Sequence, residues 1–254
     1  MKFATAEQAS DGRPNRTLDT RTNPLGSETC RQGYAIVEAV FSREEIQALL
    51  EAIPDLTSSA GTRTILDTTW GADLASDVRL RKLAGEVLGG EAVAVRAILF
   101  DKTPSTNWNL AWHQDTKIAV KERVDIPGIS QWSKKEGVVH CQPPVEILEK
   151  MVALRLHLDP CGEQNGPLRV IPRSHIRGIL PGSEPVDEED GVHCTCEIGD
   201  VILMKPLLLH ASNKSEVPGH RRVIHIEYCS ASLPPPLEWA YAAHHLKSSE
   251  GSKR

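Results

Sequence analysis

Apolar residues recur at helical spacing in the first third of the chain and at strand spacing beyond it. Ser42-Arg43-Glu44-Glu45 has the S-x-x-E form of a capping box. Ile46, Leu49, Leu50 and Ile53 follow at i, i+3, i+4 and i+7, and Pro54 closes the predicted helix. A second helix is predicted from about Ser76, with Leu80, Leu83, Ala84, Val87 and Leu88 as its stripe and Gly89-Gly90 as its stop. Gly33–Val37 reads as a strand ahead of the first helix. From residue 92 the stretches AVAVRAILF, LAWHQDTKIAV, MVALRLHLD, PLRVIP, GDVILMKPLLLHAS and RRVIHIEYCS each read as one strand, PLRVIP after an Asn165-Gly166 turn signal. Helices followed by six or more strands predict an α+β chain, mainly β, with a sandwich or barrel covered by helices.

Organisation follows from what interrupts this pattern. Residues 1–28 are polar with few large apolar side chains and are expected to be a mobile tail, leaving 29–254 as one domain. Residues 121–150 carry Pro127, Gly128, Trp132, Gly137, Pro143 and Pro144. So long a connection inside a compact domain predicts a lid, with PPVEILEK as a short helix within it and Trp132 as the side chain that closes over a substrate. The same tryptophan could instead peg the segment to the barrel.

Composition narrows the class. The chain has 254 residues, 40% hydrophobic and 25% charged, near the upper size for a single core. A net charge of −5 gives no basic footprint, so nucleic acid is not an expected partner. No apolar run approaches the roughly 20 residues of a membrane helix, and the N-terminus lacks a signal-peptide pattern. A cytoplasmic location is the expectation, with a small molecule as partner and the oligomeric state open. Six cysteines are scattered, and the expectation is reduced thiols. His193-Cys194-Thr195-Cys196 suggests zinc only weakly, because no second pair has suitable spacing.

The chemistry is concentrated in three places. In WHQDTKIAV, His113 and Asp115 stand at i and i+2, which on a strand share a face. His210 ends the apolar run VILMKPLLLH, where a histidine has no evident packing use. Two histidines and one carboxylate form the facial set of non-haem iron(II) oxygenases, which leaves open positions for a keto acid and dioxygen. Arg221 opens the strand after His210 and could bind the distal carboxylate of 2-oxoglutarate as a bidentate, permanently charged partner. Arg222 is its rival; it shares a face with Ile224, Ile226 and Tyr228, whereas Arg221 shares one with Val223 and His225.

In the stretches GYAIVEAVFSREEI, WHQD, NGPLRVIPRSH, GDVILMKPLLLHAS and the arginine of HRRVIHIEY, the chain resembles the phytanoyl-CoA dioxygenase family of iron(II)- and 2-oxoglutarate-dependent oxygenases. The resemblance implies a double-stranded β-helix, a cupin-like jelly roll with helices packed on one sheet. It implies His113, Asp115 and His210 as iron ligands, and Arg221 as the 2-oxoglutarate anchor with Ser212 beside it. It places Gln114 near the cosubstrate and makes His175 a scaffold residue. The implied cofactors are Fe(II), 2-oxoglutarate and O2, with succinate and CO2 as by-products. Halogenating relatives replace the ligand carboxylate with a small residue; Asp115 is retained here, which favours hydroxylation.

The chain departs from the family in several respects. Arg173 replaces the usual glycine, and the spacing from His210 to Asn213 is shortened. The lid is longer than in phytanoyl-CoA hydroxylases and nearer that of ectoine hydroxylase-like members. No lysine–arginine cluster suits a CoA moiety, so a small polar metabolite is the expected substrate. In MVALRLHLDP, Arg155 and His157 alternate with leucines, so they share one face of a strand. Alignment through Asn165-Gly166 turns that face into the barrel, where Arg155 would contact an acidic group of the substrate or the other end of 2-oxoglutarate, with His157 beside it. Two other classes remain: a cupin-like binding protein without turnover, and a metal-dependent hydrolase or isomerase.

Overall fold

Strand alternation builds two packed antiparallel sheets in the computed structural model, which describes residues 23–54, 61–182, 185–216 and 219–241. The larger sheet runs β1 (Tyr34–Val37), β11 (Val201–Met204), β8 (Met151–His157), β13 (Arg221–Cys229), β3 (Val93–Lys102) and β2 (Gly61–Thr62). The smaller runs β10 (Val192–Cys194), β9 (Leu168–Val170), β12 (His210–Ser212) and β4 (Leu110–His113). A third sheet, β5 (Ile118–Val120), β7 (Val138–Gln142) and β6 (Ser130–Lys135), is hydrogen-bonded to neither but packs on the large one, with Ile118, Val120 and Cys141 in one cluster with Val95, Met151 and Cys229.

One face of the large sheet is apolar throughout and carries the helices. Leu154, Leu156, Ile224, Ile226 and Tyr228 pack there against Ile46 of α2 (Arg43–Ala52) and Leu80, Ala84 and Val87 of α4 (Val78–Leu88). Each fully buried side chain of this size contributes about 1.5–3 kcal/mol. Both expected helices form, and the capping box at Ser42 and Glu45 is complete. Gly89 ends α4 in the left-handed conformation, with φ 74°. Residues of the other face, Ala153, Ile202 and Met204, meet Leu168, Val170 and Cys194 of the small sheet.

The pattern misses several features. A helix, α1 (Pro24–Gln32), begins inside the expected tail, where Asn23 caps it and Thr29 is fully buried. Residues 1–22, the rest of that expected tail, lie outside the described residues. A short helix, α3 (Thr69–Ala75), packs under Tyr228, whose hydroxyl donates to Ala75 O at 2.8 Å.

Two runs expected as single strands are each two strands in different sheets. LAWHQDTKIAV breaks after His113, and its second half joins the third sheet. GDVILMKPLLLHAS breaks at Lys205, where Leu208 N–H donates to Lys205 O at 3.0 Å in a turn around Pro206, which has no N–H for a ladder. Apolar runs conceal such breaks because both halves are buried.

The expected lid is folded. β6 and β7 form a hairpin through Glu136-Gly137, both at positive φ (50° and 85°), the backbone of a type I′ turn. Its tip is tied down by Glu136, which accepts from Arg63 N at 3.1 Å and ion-pairs with the Arg63 guanidinium. The expected short helix is α5 (Val145–Glu149). Trp132 packs on the apolar cluster of Ile118, Val120 and Leu148, with Arg123 5.6 Å above its ring. This contact is what the peg alternative for Trp132 describes.

Candidate active site

His113 and His210 are direct cross-strand partners in β4 and β12, and their ring centroids are 4.1 Å apart. Each ring is held the same way. His113 Nδ1 bonds Ala111 O and His210 Nδ1 bonds Leu208 O, both at 2.8 Å. A carbonyl only accepts, so both Nδ1 atoms carry the proton and both Nε2 atoms present lone pairs toward Asp115, as in histidines that ligate metals. Asp115 lies past the end of β4, where its N–H donates to Pro206 O at 2.8 Å. Its carboxylate oxygens stand 3.9 Å from His113 Nε2 and 3.6 Å from His210 Nε2. The three ligand atoms lie within 4.8 Å of one another. That is too far for direct hydrogen bonds and close enough for each to sit about 2 Å from one ion.

The electrostatics agree with this donor set. Burial pushes His210 down to about 3, against the pull of Asp115. Burial works to raise the Asp115 carboxyl, but His210, His225, His113 and Arg96 outweigh it and hold it well below the usual carboxylate range.

Beneath the triad, the inward side chains of three adjacent strands form rows set by strand register. The row nearest the triad is Arg96, Glu227 and Ala153; the next is Ile98, His225 and Arg155; then come Phe100, Val223 and His157; the last is Lys102 with Arg221. The last row faces the small sheet, where Lys102 Nζ donates to Ser212 Oγ at 3.0 Å and to Asn213 O. Asn213 O is in turn crowded by Gly166, whose φ is +57° and where any Cβ would fall 2.4 Å from that oxygen, so the Asn-Gly turn needs its glycine.

This interior is cationic, with no carboxylate bonded to Lys102 or Arg155 and several nitrogens left unpaired among the described residues. Arg221 is 3% exposed and its Nε has no hydrogen-bond partner. Nε of Arg155 and both ring nitrogens of His157 are likewise buried without one. Burial and the neighbouring Arg221 push Arg155 down to about 10, and burial with Arg221 and Arg155 pushes Lys102 down to about 7. His157 falls to about 3 through burial, Arg155 and Arg221. Buried cations without partners are costly, and an anion bound among them removes that cost.

The two arginines lie on opposite sides of β13. Arg222 points out of the barrel and closes a bidentate pair with Asp159, Nε to Oδ2 at 2.8 Å and Nη2 to Oδ1 at 2.7 Å. Arg221 is the one turned inward, beside Lys102 and in line with Ser212.

Gln114 is placed differently from expectation. Its Nε2 donates to Gly178 O at 2.8 Å and Leu207 O at 2.7 Å, and its Oε1 accepts from Leu180 N at 2.8 Å. Both amide hydrogens are used by backbone, so the side chain staples two loops and has no donor left for a cosubstrate. His175 donates from Nε2 to Cys30 O at 3.0 Å, a scaffold contact. All six cysteines are free; His193 ion-pairs with Glu163, away from the buried Cys194 and Cys196. Sequence reading missed Lys102, Arg96, His225 and Glu227. Their signal was strand parity: extending the inward face of β13 from Arg221 and Val223 reaches His225 and Glu227.

A jelly-roll sandwich enclosing a two-histidine, one-carboxylate set above a cationic slot defines the class of non-haem iron(II)- and 2-oxoglutarate-dependent oxygenases, whose cofactors are iron, 2-oxoglutarate and dioxygen. A model of the phytanoyl-CoA dioxygenase family (PhyH) matches residues 29–223, and the chain belongs to that family. Its fold is similar to that of EctD from S. alaskensis with 2-oxoglutarate and 5-hydroxyectoine (22% identity, TM-score 0.64, 89% of this chain and 86% of that one). It is similar also to SnoN, a non-haem α-ketoglutarate-dependent epimerase from nogalamycin biosynthesis (17%, TM-score 0.62, 82% and 80%). AviO1 from Streptomyces viridochromogenes Tue57 is a further match (22%, TM-score 0.59, 87% and 99%). No curated protein matches the chain. Among the described residues, no helix is long and apolar enough to cross a membrane.

Proposed function

We propose that this chain hydroxylates an unactivated C–H bond of a small polar molecule, coupled to conversion of 2-oxoglutarate and O2 to succinate and CO2. The observation that supports the reading is a pre-oriented triad with a buried cationic slot beneath it, in which Arg155 Nε and Arg221 Nε have no partner. Bound iron(II) supplies activation of dioxygen, with one oxygen atom ending in succinate and the other in the alcohol.

The protein's own residues do the rest. His113, Asp115 and His210 would hold the ion, a three-ligand set of the kind that leaves room for a keto acid and dioxygen. Arg221, with Lys102 and Ser212 beside it, takes the distal carboxylate of 2-oxoglutarate. Ser212 lies two residues beyond His210 on β12, about 7 Å along a strand, a span suited to a five-carbon diacid. Arg155 sits nearer the triad than Arg221 does, at the level of His225. It adds positive potential at the keto-acid end and orients His225 through a 3.1 Å bond from Nη1 to Nδ1. His157, neutral between them, fills the slot without adding charge.

EctD and SnoN share this fold, and the second is an epimerase. Product analysis therefore tests the reading. The iron-loaded protein should release succinate only with both 2-oxoglutarate and oxygen present, and the true substrate should gain one oxygen atom. An epimerised or desaturated product would overturn hydroxylation. Oxygen-independent turnover would favour a hydrolase or isomerase, and a loaded protein without any turnover would favour a binding role.

A further inference from the structure

The triad is open to solvent on the side of His113 and Asp115, whose side chains are 34% and 27% exposed, and closed on that of His210, at 2%. A substrate therefore reaches the ion past Asp115, and the third sheet stands beside that approach. In its register Ala119 and Ser133 flank His140, so these three share a face. Lys117, two residues before Ala119, and Lys135, two after Ser133, belong to the same face. Lys117 Nζ donates to Ser133 Oγ across it at 3.2 Å. Arg96 Nη1 reaches Lys117 O at 3.5 Å, which ties this corner to the row nearest the triad, and Lys117 borders Asp115.

The charges at this rim do not balance. Glu227 is engaged by Arg96 and Glu136 by Arg63. Among the described residues, neither Lys117 nor Lys135 has a carboxylate within ion-pair distance. Burial, Arg63, Arg96 and Lys117 hold Lys135 below the ordinary lysine value, and Asp115 pulls it the other way, so the hairpin lysine lies in the field of the other cations and of the triad carboxylate. Once Asp115 is engaged by an ion, two positive charges stay uncompensated beside the approach. A cationic substrate would be repelled there, and a neutral one would gain nothing from them. An anion can accept from Lys135 and from Lys117, whose ammonium has donors besides the one on Ser133. The four cations come from positions 63, 96, 117 and 135, so no basic run in the sequence announces them.

We propose that Lys117 and Lys135 bind an anionic group of the substrate, a carboxylate or a phosphate, at the open side of the triad. The inference rests on the reading of His113, Asp115 and His210 as a metal site and names the substrate class of that site.

Benzoate, phenyl phosphate, benzyl alcohol and benzylamine share one ring and differ in charge, and they serve as probes. Each is titrated into the full chain loaded with manganese(II) and saturating 2-oxoglutarate, which fills the slot beneath. Paramagnetic broadening of the ring-proton NMR lines reports proximity to the triad, and manganese occupancy is read independently from water relaxation. Its absence would refute the metal-site reading; saturation transfer to the probes, which needs no metal, would then still measure the charge preference of the rim. At least one of the two anions should bind more tightly than the alcohol and the amine, and the tighter of them names the group. That binding should weaken roughly tenfold when Lys117→Met and Lys135→Met are combined, survive the two Lys→Arg changes, and fall as salt is raised. If Lys117→Met does not fold, a severalfold loss in Lys135→Met alone carries the test. Anion binding unchanged in the lysine variants overturns the proposal. So do a preference for the alcohol or the amine, failure of every probe to bind, and variants that alter only the rate of 2-oxoglutarate binding, which would make the rim a steering device for the cosubstrate.

Discussion

Replacing Arg221 with leucine should move two observables in opposite directions. Without an anion, the arginine is a cation 3% exposed with an unpartnered Nε, beside Lys102 and close to Arg155. Exchanging buried charge for an apolar side chain of similar reach is stabilising by about 1–4 kcal/mol where the charge is poorly compensated. At about 2–4 °C per kcal/mol for a chain of this size, the apo-protein should melt several degrees higher. Binding of 2-oxoglutarate should suffer instead. Truncating one side of a buried charge pair costs about 2–5 kcal/mol, and Lys102 and Arg155 remain, which argues for the lower end. A loss of about 2–3 kcal/mol is roughly 30- to 150-fold in affinity. In the wild type, 2-oxoglutarate at 100 times its dissociation constant adds about 2.7 kcal/mol of stability; at the same concentration the variant should gain only a few tenths to about 1 kcal/mol. Calorimetric melting with and without 2-oxoglutarate, alongside an anaerobic metal titration that should be unchanged, reads all three quantities. Wild-type affinity for 2-oxoglutarate in Arg221→Leu would refute the reasoning. So would the same loss in Arg222→Leu, which breaks only the Asp159 pair.

His210→Ala should abolish stoichiometric iron(II) binding in an anaerobic titration, since it removes one of the three ligands. Lys102, pushed down to about 7 by burial and Arg221, loses its charge as pH rises through that value, so affinity for 2-oxoglutarate should fall over the same interval and the dependence should vanish in Lys102→Met. The stability effect has the opposite sign: between about 7 and the ordinary lysine value the unfolded chain binds more protons than the folded one, so this group makes the apo-protein more stable as pH rises. Arg155→Ala should weaken 2-oxoglutarate binding less than Arg221→Leu does and reduce coupled turnover more, as compared by succinate release with and without substrate; wild-type values for both would remove it from the slot. Gln114→Leu should destabilise the fold by about 2–3 kcal/mol in chemical denaturation, because it orphans three backbone groups, while the folded fraction keeps its affinity for 2-oxoglutarate.

Periodicity made the helices and most strands legible because each has one wet and one dry face. Ile46 and Leu80 fall on stripes that the structure buries. The sheet changes at Gln114–Lys117 and Lys205–Leu209 were not legible, since a run buried on both sides of a break looks continuous. Helix α1 was missed because its sequence, PLGSETCRQ, has a single large apolar residue. The triad was legible for a reason that proved partly different: the shared face of His113 and Asp115 was argued from one strand, whereas the strand ends at His113 and Asp115 approaches the two imidazoles from the crossing. Parity along β13 was reliable because the residues from Arg221 to Glu227 pair with β3 without a shift. It identified Arg221 and stopped short of Glu227 only because it was not carried to the end of the strand.

The pairing of His113 with His210 across β4 and β12 gives the centre one stiff axis and one compliant one. The two imidazoles ride on adjacent, hydrogen-bonded strands, each ring tethered to its own backbone, so they shift together as a unit. Asp115 belongs to neither strand; it hangs at the passage between sheets from one bond to Pro206 O. Were an ion held there, Asp115 would be the ligand with most freedom to swing, since each imidazole is tied to its own strand. A perturbation at Pro206, remote in sequence from His113, would reset that swing without touching a ligand.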